Sequence, residues 1–312
     1  MDFKLTEEQQ DIQNLASQIL GEQVTPEELH KYDMWKEERF NGRLWAQLAD
    51  AGLLGITIPV ESGGMGFGFA ELALLIEECG RVVAPLPVVP SLISAMAIQS
   101  FGDENSQRML GGVATGEVVL TAAIAEPCNF DLDKPTTTIK DGKISGEKLC
   151  VPYANIATRI LVIADDGNEA GLYLVDPKSS GVHLTALKAT TYEPQYNINL
   201  ENAAAEKIGG ASAVKYLIEH YCIALCAYQV GVAEQMVKMT AAYTSEREQF
   251  NVKIATFQAV GHRTANCYID AKCLKLVTQQ AVMMLASGQD ASRQVHVAKI
   301  WLGDAAHRIS YA

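Results

Sequence analysis

The sequence has no run of 18 or more apolar residues, about the length that a helix needs to cross a bilayer, so no membrane span is expected. Its seven cysteines form no Cys-x-x-Cys pair, and several lie in apolar patterns, which favours reduced, buried thiols in a cytoplasmic protein. The six histidines show no metal-ligand spacing, so no metal site is predicted. The first residues, 1–8, are acidic and polar, unlike a signal or transit peptide.

Positive charge is also in deficit. There are 25 Lys and Arg against 37 Asp and Glu, and the net charge of −12 argues against nucleic acid as a partner. One local cationic patch is nevertheless enough to bind an anionic small molecule. With 312 residues, 48% of them hydrophobic and 20% charged, the chain can bury a large core, and two or three domains are expected.

The first part of the chain has helical periodicity. Thr6 and Gln9 form a capping-box pattern before an apolar stripe, and a second helix is predicted over residues 37–51, ending at Gly52. The glycine-rich residues 54–68 predict a loop, after which residues 69–81 are again apolar at helical spacing. The prolines at positions 85, 87 and 90 are expected to break the chain before the next helix.

Between residues 117 and about 200 the apolar period changes to two, which predicts strands. Asp141-Gly142, flanked by β-like residues, is a two-residue hairpin signal. Further strands are predicted over 118–124, 160–164, 171–175 and 196–200, forming a small antiparallel sheet. The predicted class is therefore α+β. Its domains are an N-terminal helical domain (1–115), a middle antiparallel β domain (116–208) and a C-terminal bundle of long helices (209–312).

The C-terminal part predicts an unusually long helix from Ala211, a second over 257–287 and a third from Ser292. The connection between the first two carries Arg247, Phe250, Phe257 and Gln258. The planar guanidinium of an arginine can hold a diphosphate through two hydrogen bonds, and a ring and a carboxamide beside it suit the rest of a dinucleotide. On the pattern alone, a solvated ion pair at a helix end is the alternative interpretation.

Several segments, in this order, resemble the acyl-CoA dehydrogenase family over the whole chain. Residues 59–66 and 77–81 resemble its Pro-Glu-x-x-Gly-Gly-x-Gly and Glu-Glu-x-Gly-Arg segments. Residues 245–250 with 257–258 resemble its Glu-Arg-x-x-Phe-Gly-x-x-Ile-x-x-Phe-Gln signature, with Asn251 in place of the glycine. The resemblance implies the family's three-part fold and an FAD-dependent α,β-desaturation of an acyl-CoA thioester. In that reaction a carboxylate removes the α-proton and flavin N5 accepts the β-hydride.

The segments that hold the flavin ring in this family differ here. Its Thr-Glu-Pro-x-x-Gly-Ser-Asp becomes residues 125–131, which lose the Thr, the Gly and the Ser. Its Trp-x-Thr falls on Cys150 and Pro152, and proline has no N–H to donate. We therefore expect that this chain has lost its own flavin-ring contacts.

No catalytic base is assigned from the sequence. One lineage of the family takes a Glu from the start of the long helix, and that position is Tyr221, a poor base for a weak carbon acid. The other lineage has its Glu in a later segment, which would follow Ala312, as would the family's Gln-x-x-Gly-Gly-x-Gly. Whether the natural chain extends past Ala312 is left open, and the catalytic residue is unknown.

In the family's oligomers the Arg-x-x-Phe and Phe-Gln elements reach the FAD of a neighbouring subunit. The four residues Arg247, Phe250, Phe257 and Gln258 are therefore the predicted FAD-binding residues. Their retention beside a degenerate ring site resembles one subunit of the heteromeric α2β2 acyl-CoA dehydrogenases, in which two unlike chains share each flavin.

The resemblance further implies an acyl-CoA substrate, a second acyl-CoA dehydrogenase-like subunit, and an electron acceptor such as an electron-transfer flavoprotein. By family analogy alone, the substrate is a steroid side-chain CoA ester in lipid and steroid degradation. Two alternatives stay open: a self-sufficient but divergent dehydrogenase or oxidase, and a non-catalytic scaffold subunit on this fold.

Overall fold

The chain forms helices, then a β-sheet, then long helices, in the predicted order. The computed structural model describes residues 4–312, so the expectation for the start of the chain at residues 1–3 lies outside the described residues. The N-terminal helices are α1 (Glu7–Gln23), α2 (Pro26–His30), α3 (Gly42–Asp50), α4 (Phe69–Arg81), α5 (Val88–Phe101), α6 (Glu104–Gln107) and α7 (Leu110–Ala114). The strands that follow are β1 (Leu120–Ala123), β2 (Thr138–Lys140), β3 (Lys143–Pro152), β4 (Arg159–Asp165), β5 (Ala170–Val175), β6 (Val182–Leu187) and β7 (Gln195–Gly209). The last elements are α8 (Ala211–Glu246), β8 (Glu248–Gln249), β9 (Val252–Lys253), α9 (Gln258–Ala286) and α10 (Ser292–Tyr311).

Local capping signals place most N-terminal helix ends. Thr6 and Gln9 form both bonds of the predicted capping box. The helix predicted over 37–51 is shorter at its start, because Asn41 accepts a hydrogen bond from Leu44 N and so begins α3 there. Pro90 does not precede α5 but lies in its first turn, where the missing N–H has no intrahelical partner to lose.

The middle strands form one seven-stranded sheet, in which β4 also pairs with β5 and so closes β2, β3, β7, β5 and β4 on themselves. The Asp141-Gly142 hairpin is confirmed by the antiparallel β2–β3 pairing. The prediction of a purely antiparallel sheet missed two parallel pairings, β1 with β4 and β2 with β4. They arise because the chain after β1 returns through residues 124–137 to the end at which β1 began. Strand β6 was not predicted from the sequence.

By its contacts the chain divides into two units. One comprises Met1–Val24, Gly68–Ala84 and Cys222–Ala312, and the other comprises Thr25–Phe67 and Pro85–Tyr221. The three-domain division at residues 115 and 208 stays a prediction. None of the helices formed by residues 4–312 combines the length and the apolar character that crossing a bilayer requires.

In the first of these units, α4 and α8 cross at two glycines. A Cβ on Gly80 would lie 1.9 Å from the carbonyl oxygen of Tyr228, and one on Gly231 would lie 1.9 Å from that of Glu77. Real Cβ atoms do not approach so closely, so the two backbones can meet only where both side chains are absent.

The Glu-Glu-x-Gly-Arg segment holds this crossing together. Glu77 Oε1 lies 2.6 Å from Lys275 Nζ on α9, and Glu78 Oε2 accepts from Arg81 Nε at 2.5 Å. Arg81 also donates to Ser17 O on α1 at 3.1 Å. The segment that carries part of the family resemblance therefore joins α1, α4, α8 and α9, and its role in this chain is structural.

Candidate functional site

The connection between α8 and α9 is a short β-hairpin that the sequence did not predict. Strands β8 and β9 pair Glu248 with Lys253 and Gln249 with Val252. The two turn residues, Phe250 and Asn251, have φ values of 55° and 62°, the left-handed pair that a type I′ turn requires. Asparagine tolerates this conformation better than other residues with a side chain, which explains why Asn251 can stand where the resembled signature has glycine.

The backbone of Arg247 is held on both sides. Its N–H donates to Tyr243 O at 2.9 Å, and its carbonyl accepts from Ile254 N at 2.9 Å, so the end of α8 and the return of the hairpin are tied together at this residue. The side chain is exposed. Within residues 4–312 its guanidinium makes no ion pair or side-chain hydrogen bond, although Glu246 and Glu248 are its chain neighbours. It therefore presents an uncommitted planar donor set at the surface.

The two predicted aromatic residues lie beside each other. The rings of Phe250 and Phe257 are 6.3 Å apart at 82°, an edge-to-face contact. The Phe250 side chain is 88% exposed and that of Phe257 is 38% exposed, far more than an apolar ring has in a core. Gln258 is exposed and is the first residue of α9. The structure thus gathers all four predicted residues at one connection and presents them outward.

The two segments predicted to have lost their flavin-ring contacts meet beside β3. Leu149 N donates to Ala125 O at 2.9 Å, and Glu126 Oε1 lies 2.8 Å from Lys148 Nζ, so the start of the 125–131 segment lies next to this strand. Cys150 is exposed, with a φ of 53°, at an irregularity of the β3–β7 ladder between Lys148 and Val151. The Cys150 thiol has no stacking face and is only a weak donor, and the tertiary amide nitrogen of Pro152 has no proton to donate. Cys150 and Pro152 therefore do not fit the ring of a flavin.

Glu126, one of the two acids within residues 125–131, has a structural role. Its side chain is buried and lies 2.8 Å from Lys148 Nζ, which is itself fully buried. It also accepts hydrogen bonds from Asn129, Thr136 and Thr137. Burial alone would raise the pKa of the Glu126 carboxyl, but the bonds from Lys148 and the 136–137 segment hold that pKa well below its usual range. Glu126 therefore fastens the loop that returns the chain from β1 to β2.

The start of α8 carries Tyr221, half-buried, at the predicted position of the family base. Its neighbour His220 is buried, with Nδ1 2.8 Å from Tyr216 O and its ring stacked on that of Tyr216 at 3.9 Å. Burial lowers the pKa of His220 to about 4, so the imidazole is neutral at physiological pH. Among residues 4–312 no group of three His, Cys, Asp or Glu side chains has the arrangement of a metal site.

Three lysines that organise these regions were not predicted from the sequence: Lys148 in the sheet, Lys253 in the hairpin and Lys275 on α9. A partial signal existed for Lys253. A left-handed pair at residues 250–251 places it opposite Glu248 in a two-residue hairpin, and asparagine favours such a turn. Lys148 and Lys275 pair with acids remote in sequence, and no local pattern indicates such partners.

Comparison with known proteins places this geometry in a family. Residues 6–117 match the N-terminal domain of acyl-CoA dehydrogenases, and residues 209–311 match their C-terminal domain. The chain belongs to the acyl-CoA dehydrogenase family. Members of this family are oxidoreductases that act on CH–CH bonds, and its fold of helices, a middle β domain and C-terminal helices is confirmed for this chain.

Relatives within this family include named subunits of complexes. The chain is 33% identical to the acyl-CoA dehydrogenase FadE27 of Mycobacterium tuberculosis, a match covering 100% of this chain and 87% of FadE27. The ChsE4–ChsE5 complex of the same organism contains a chain that is 32% identical, with a TM-score of 0.93, a match covering 100% of this chain and 86% of that one. A variant of the Tcur3481–Tcur3483 steroid ACAD (acyl-CoA dehydrogenase) contains a chain that is 34% identical, with a TM-score of 0.94. That match covers 98% of this chain and 85% of the Tcur3481–Tcur3483 chain. The predicted resemblance to subunits of heteromeric dehydrogenases is confirmed.

Proposed function

We propose that this chain is one subunit of a heteromeric, FAD-dependent acyl-CoA dehydrogenase that desaturates the α,β bond of an acyl-CoA thioester. It shares each FAD with a non-identical partner of the same family. The observation that carries the proposal is the exposed Arg247 in the α8–α9 hairpin, which has no ion pair within residues 4–312. The same chain has Cys150 and Pro152 at the positions where the family has flavin-ring contacts. One half of a dinucleotide site is present, and the other half is degenerate.

The half that fits is the hairpin. Arg247 would hold the diphosphate of FAD through two hydrogen bonds, and because its guanidinium has no ion pair within residues 4–312, none of those residues has to release it first. Phe250 and Phe257 would pack along the dinucleotide, with Gln258 as a hydrogen-bonding amide. When bound, the flavin supplies a two-electron acceptor for the substrate hydride. This chain's residues position it and shield one side of it from water.

The half that does not fit is the sheet. A flavin ring presents polar edges that need donors and a flat face that needs a stacking partner. At the positions where the resembled Trp-x-Thr segment has its ring and its hydroxyl, Cys150 has no aromatic face and Pro152 has neither a hydroxyl nor a backbone N–H. The flavin-ring contacts and the carboxylate base are therefore assigned to the partner chain, and Tyr221 is not the base.

An apolar surface on the last two helices supports a partner. On α9, Tyr268, Ile269 and Leu276 are each more than half exposed and recur on one side of the helix. On α10, Val297 and Ile300 are one turn apart and are 47% and 69% exposed. Large apolar side chains exposed in groups on a helix are typical of interaction sites. Its occupant in this proposal is the second dehydrogenase-like subunit, giving an α2β2 heterotetramer.

The substrate class rests on the relatives. The Tcur3481–Tcur3483 protein is a steroid ACAD, so a steroid side-chain CoA ester is the proposed substrate here. The electrons would pass to an acceptor such as an electron-transfer flavoprotein. The free thiols of the described chain support a cytoplasmic location.

Two spectra test the sharing of FAD. The chain purified alone should carry little flavin absorbance, and the chain co-expressed with its partner should carry about one FAD per two chains. A yellow homomer with one FAD per chain would establish the self-sufficient enzyme instead. An assembled complex that binds no FAD would favour the scaffold.

Arg247→Ala, made in the assembled complex, tests the contribution of the hairpin to FAD binding. We expect FAD to be bound more than about tenfold more weakly, since hydrogen bonds between charged groups are the strongest polar contacts. Arg43→Ala, which removes an exposed arginine on α3 in the other unit, is the matched control and should leave FAD binding unchanged. Equal FAD retention in both variants would show that the hairpin is an ordinary surface turn.

A further inference from the structure

Arg247 stands between two acids in the sequence, Glu246 and Glu248, and yet its guanidinium is unpaired within residues 4–312. An exposed carboxylate close to an arginine in sequence can form a weak ion pair with it at a protein surface. Such a pair would occupy the donors that the proposed function assigns to a diphosphate. Adjacent side chains diverge along a helix or a strand, and an ion pair of Glu248 with another residue would further keep its carboxylate from Arg247.

Lys253 forms such an ion pair with Glu248. Its Nζ lies 2.9 Å from Glu248 Oε1 across the hairpin, and the two residues are directly paired in the β8–β9 register. The same Nζ donates to Glu246 O at 3.0 Å, one of the last carbonyls of α8. One ammonium group therefore binds the carboxylate on one side of Arg247 and the backbone on its other side.

The turn makes this arrangement possible. A two-residue connection with both residues left-handed places Glu248 and Lys253 face to face, whereas a longer loop would leave their separation variable. Asn251 thus has a second consequence beyond allowing the turn, because it sets the register that brings the lysine to Glu248.

We infer that Lys253 is a positioning residue, which holds Glu248 away from Arg247 and so keeps the guanidinium available for the diphosphate of FAD. The inference rests on the proposed function of Arg247. Lys253 itself is not assigned a contact with FAD. Its effect is to remove an internal competitor for the arginine.

The effect is expected to be modest because the pair is exposed. The side chains of Lys253 and Glu248 are 48% and 62% exposed, so solvent screens both the existing ion pair and the competing one with Arg247. Exposed ion pairs of this kind change a binding constant by a small factor. Loss of the lysine should weaken FAD binding about three- to fivefold at low ionic strength, and by less at high salt.

The experiment is a mutant cycle on the co-expressed complex, with the FAD dissociation constant measured by flavin fluorescence at low ionic strength. Lys253→Met keeps the aliphatic stem and should weaken FAD binding about three- to fivefold. Adding Glu248→Gln removes the released competitor and should restore binding to within about twofold of wild type. In an Arg247→Ala background, Lys253→Met should have no effect, since no guanidinium remains to be captured.

Each of the other possible outcomes contradicts either the role of Lys253 or the proposed function of Arg247. Loss of affinity on Lys253→Met in the Arg247→Ala background would show direct contact of the lysine with FAD and overturn the inference. Failure of Glu248→Gln to restore affinity would overturn it too, and limited proteolysis of the hairpin would show whether the turn has opened instead. If Arg247→Ala weakens FAD binding while Lys253→Met does not, only this inference fails. If Arg247→Ala itself has no effect, the proposed function fails and this inference with it.

Discussion

Replacing Lys148 by methionine removes one cation from the interior of the β-sheet and leaves the rest of the side chain in place. In the native chain its Nζ lies 2.8 Å from Glu126 Oε1, with 0% and 2% of the two side chains exposed. Methionine matches the length of the lysine stem, so little cavity is created. The perturbation is therefore the loss of a buried charge partner.

The magnitude follows from what Glu126 retains. Breaking a buried ion pair by removing one partner costs about 3–5 kcal/mol, because an uncompensated charge stays buried. Here the carboxylate keeps its hydrogen bonds from Asn129, Thr136 and Thr137, which stabilise the charge in part. We therefore expect the lower end of the range, about 3 kcal/mol, at neutral pH.

The pH dependence has a definite sign. The native pKa of Glu126 is lowered from its ordinary value of 4.5, so its stabilising effect is present above 4.5 and is lost as the pH falls below that value. In Lys148→Met the Glu126 carboxyl lacks its cation, so burial raises its pKa above that in the wild type. The variant therefore loses its buried charge by protonation at a higher pH than the wild type does. The stability gap between wild type and variant should therefore be widest near neutral pH and should narrow as the solution is acidified.

Urea unfolding followed by far-UV circular dichroism, at pH 7 and at pH 4, measures both quantities. Lys143→Met, an exposed lysine in the same strand, is the control and should change the free energy of unfolding by less than about 0.5 kcal/mol. Hydrogen exchange at the Thr136 and Thr137 amides should speed up only in Lys148→Met. A variant within about 1 kcal/mol of wild type at pH 7, or a gap that widens in acid, would refute the assignment of Glu126 as a charged structural anchor.

Three further predictions concern the helices and the hairpin. Gly231→Ala would place a Cβ 1.9 Å from Glu77 O and should lower the free energy of unfolding by more than about 2 kcal/mol. Gly303→Ala, with open space around it, is the control and should stabilise α10 by up to about 1 kcal/mol. Similar thermal unfolding of the two variants would contradict the close crossing of α4 and α8. Asn251→Gly should preserve the hairpin, while Asn251→Val should destabilise it by about 1–2 kcal/mol and increase its cleavage in limited proteolysis, and equal cleavage would mean that the turn is not strained. Tyr221→Phe should change turnover of the assembled complex by less than about tenfold, whereas loss of a positioned acid–base group would lower the rate by about 10²–10⁴-fold. Abolished turnover with FAD content and assembly intact would show that this chain supplies the catalytic base.

Local signals predicted a large part of the fold. The apolar period over residues 69–81 gave the bounds of α4 as the structure has them, because both ends are set by neighbouring glycine, acid and arginine residues. Asp141 and Gly142 take the left-handed φ values that their hairpin requires. In each case the deciding interactions lie within a few residues of one another, so the sequence pattern contains them.

Features that depend on remote contacts were not predicted. Strand β6 is an exception, because Val182, Leu184 and Ala186 alternate with His183 and Thr185, a local signal that could have predicted this strand beside β7. The parallel pairing of β1 with β4 joins residues 39 positions apart, such as Leu120 and Arg159. Whether two strands pair in parallel depends on how the chain between them returns, which is a property of the packed sheet.

The candidate site divides in the same way. The sequence by itself determined which residues are present: Arg247 with its two rings and amide, and Cys150 and Pro152 at the degenerate segments. Only the tertiary structure decided what each charged group is engaged with. It buries Glu126 against Lys148, pairs Glu248 with Lys253, and leaves the Arg247 guanidinium without an ion pair among residues 4–312. The physical reason is that a charge is committed by its nearest partner in space, and the partner of Glu126 lies 22 residues away along the chain.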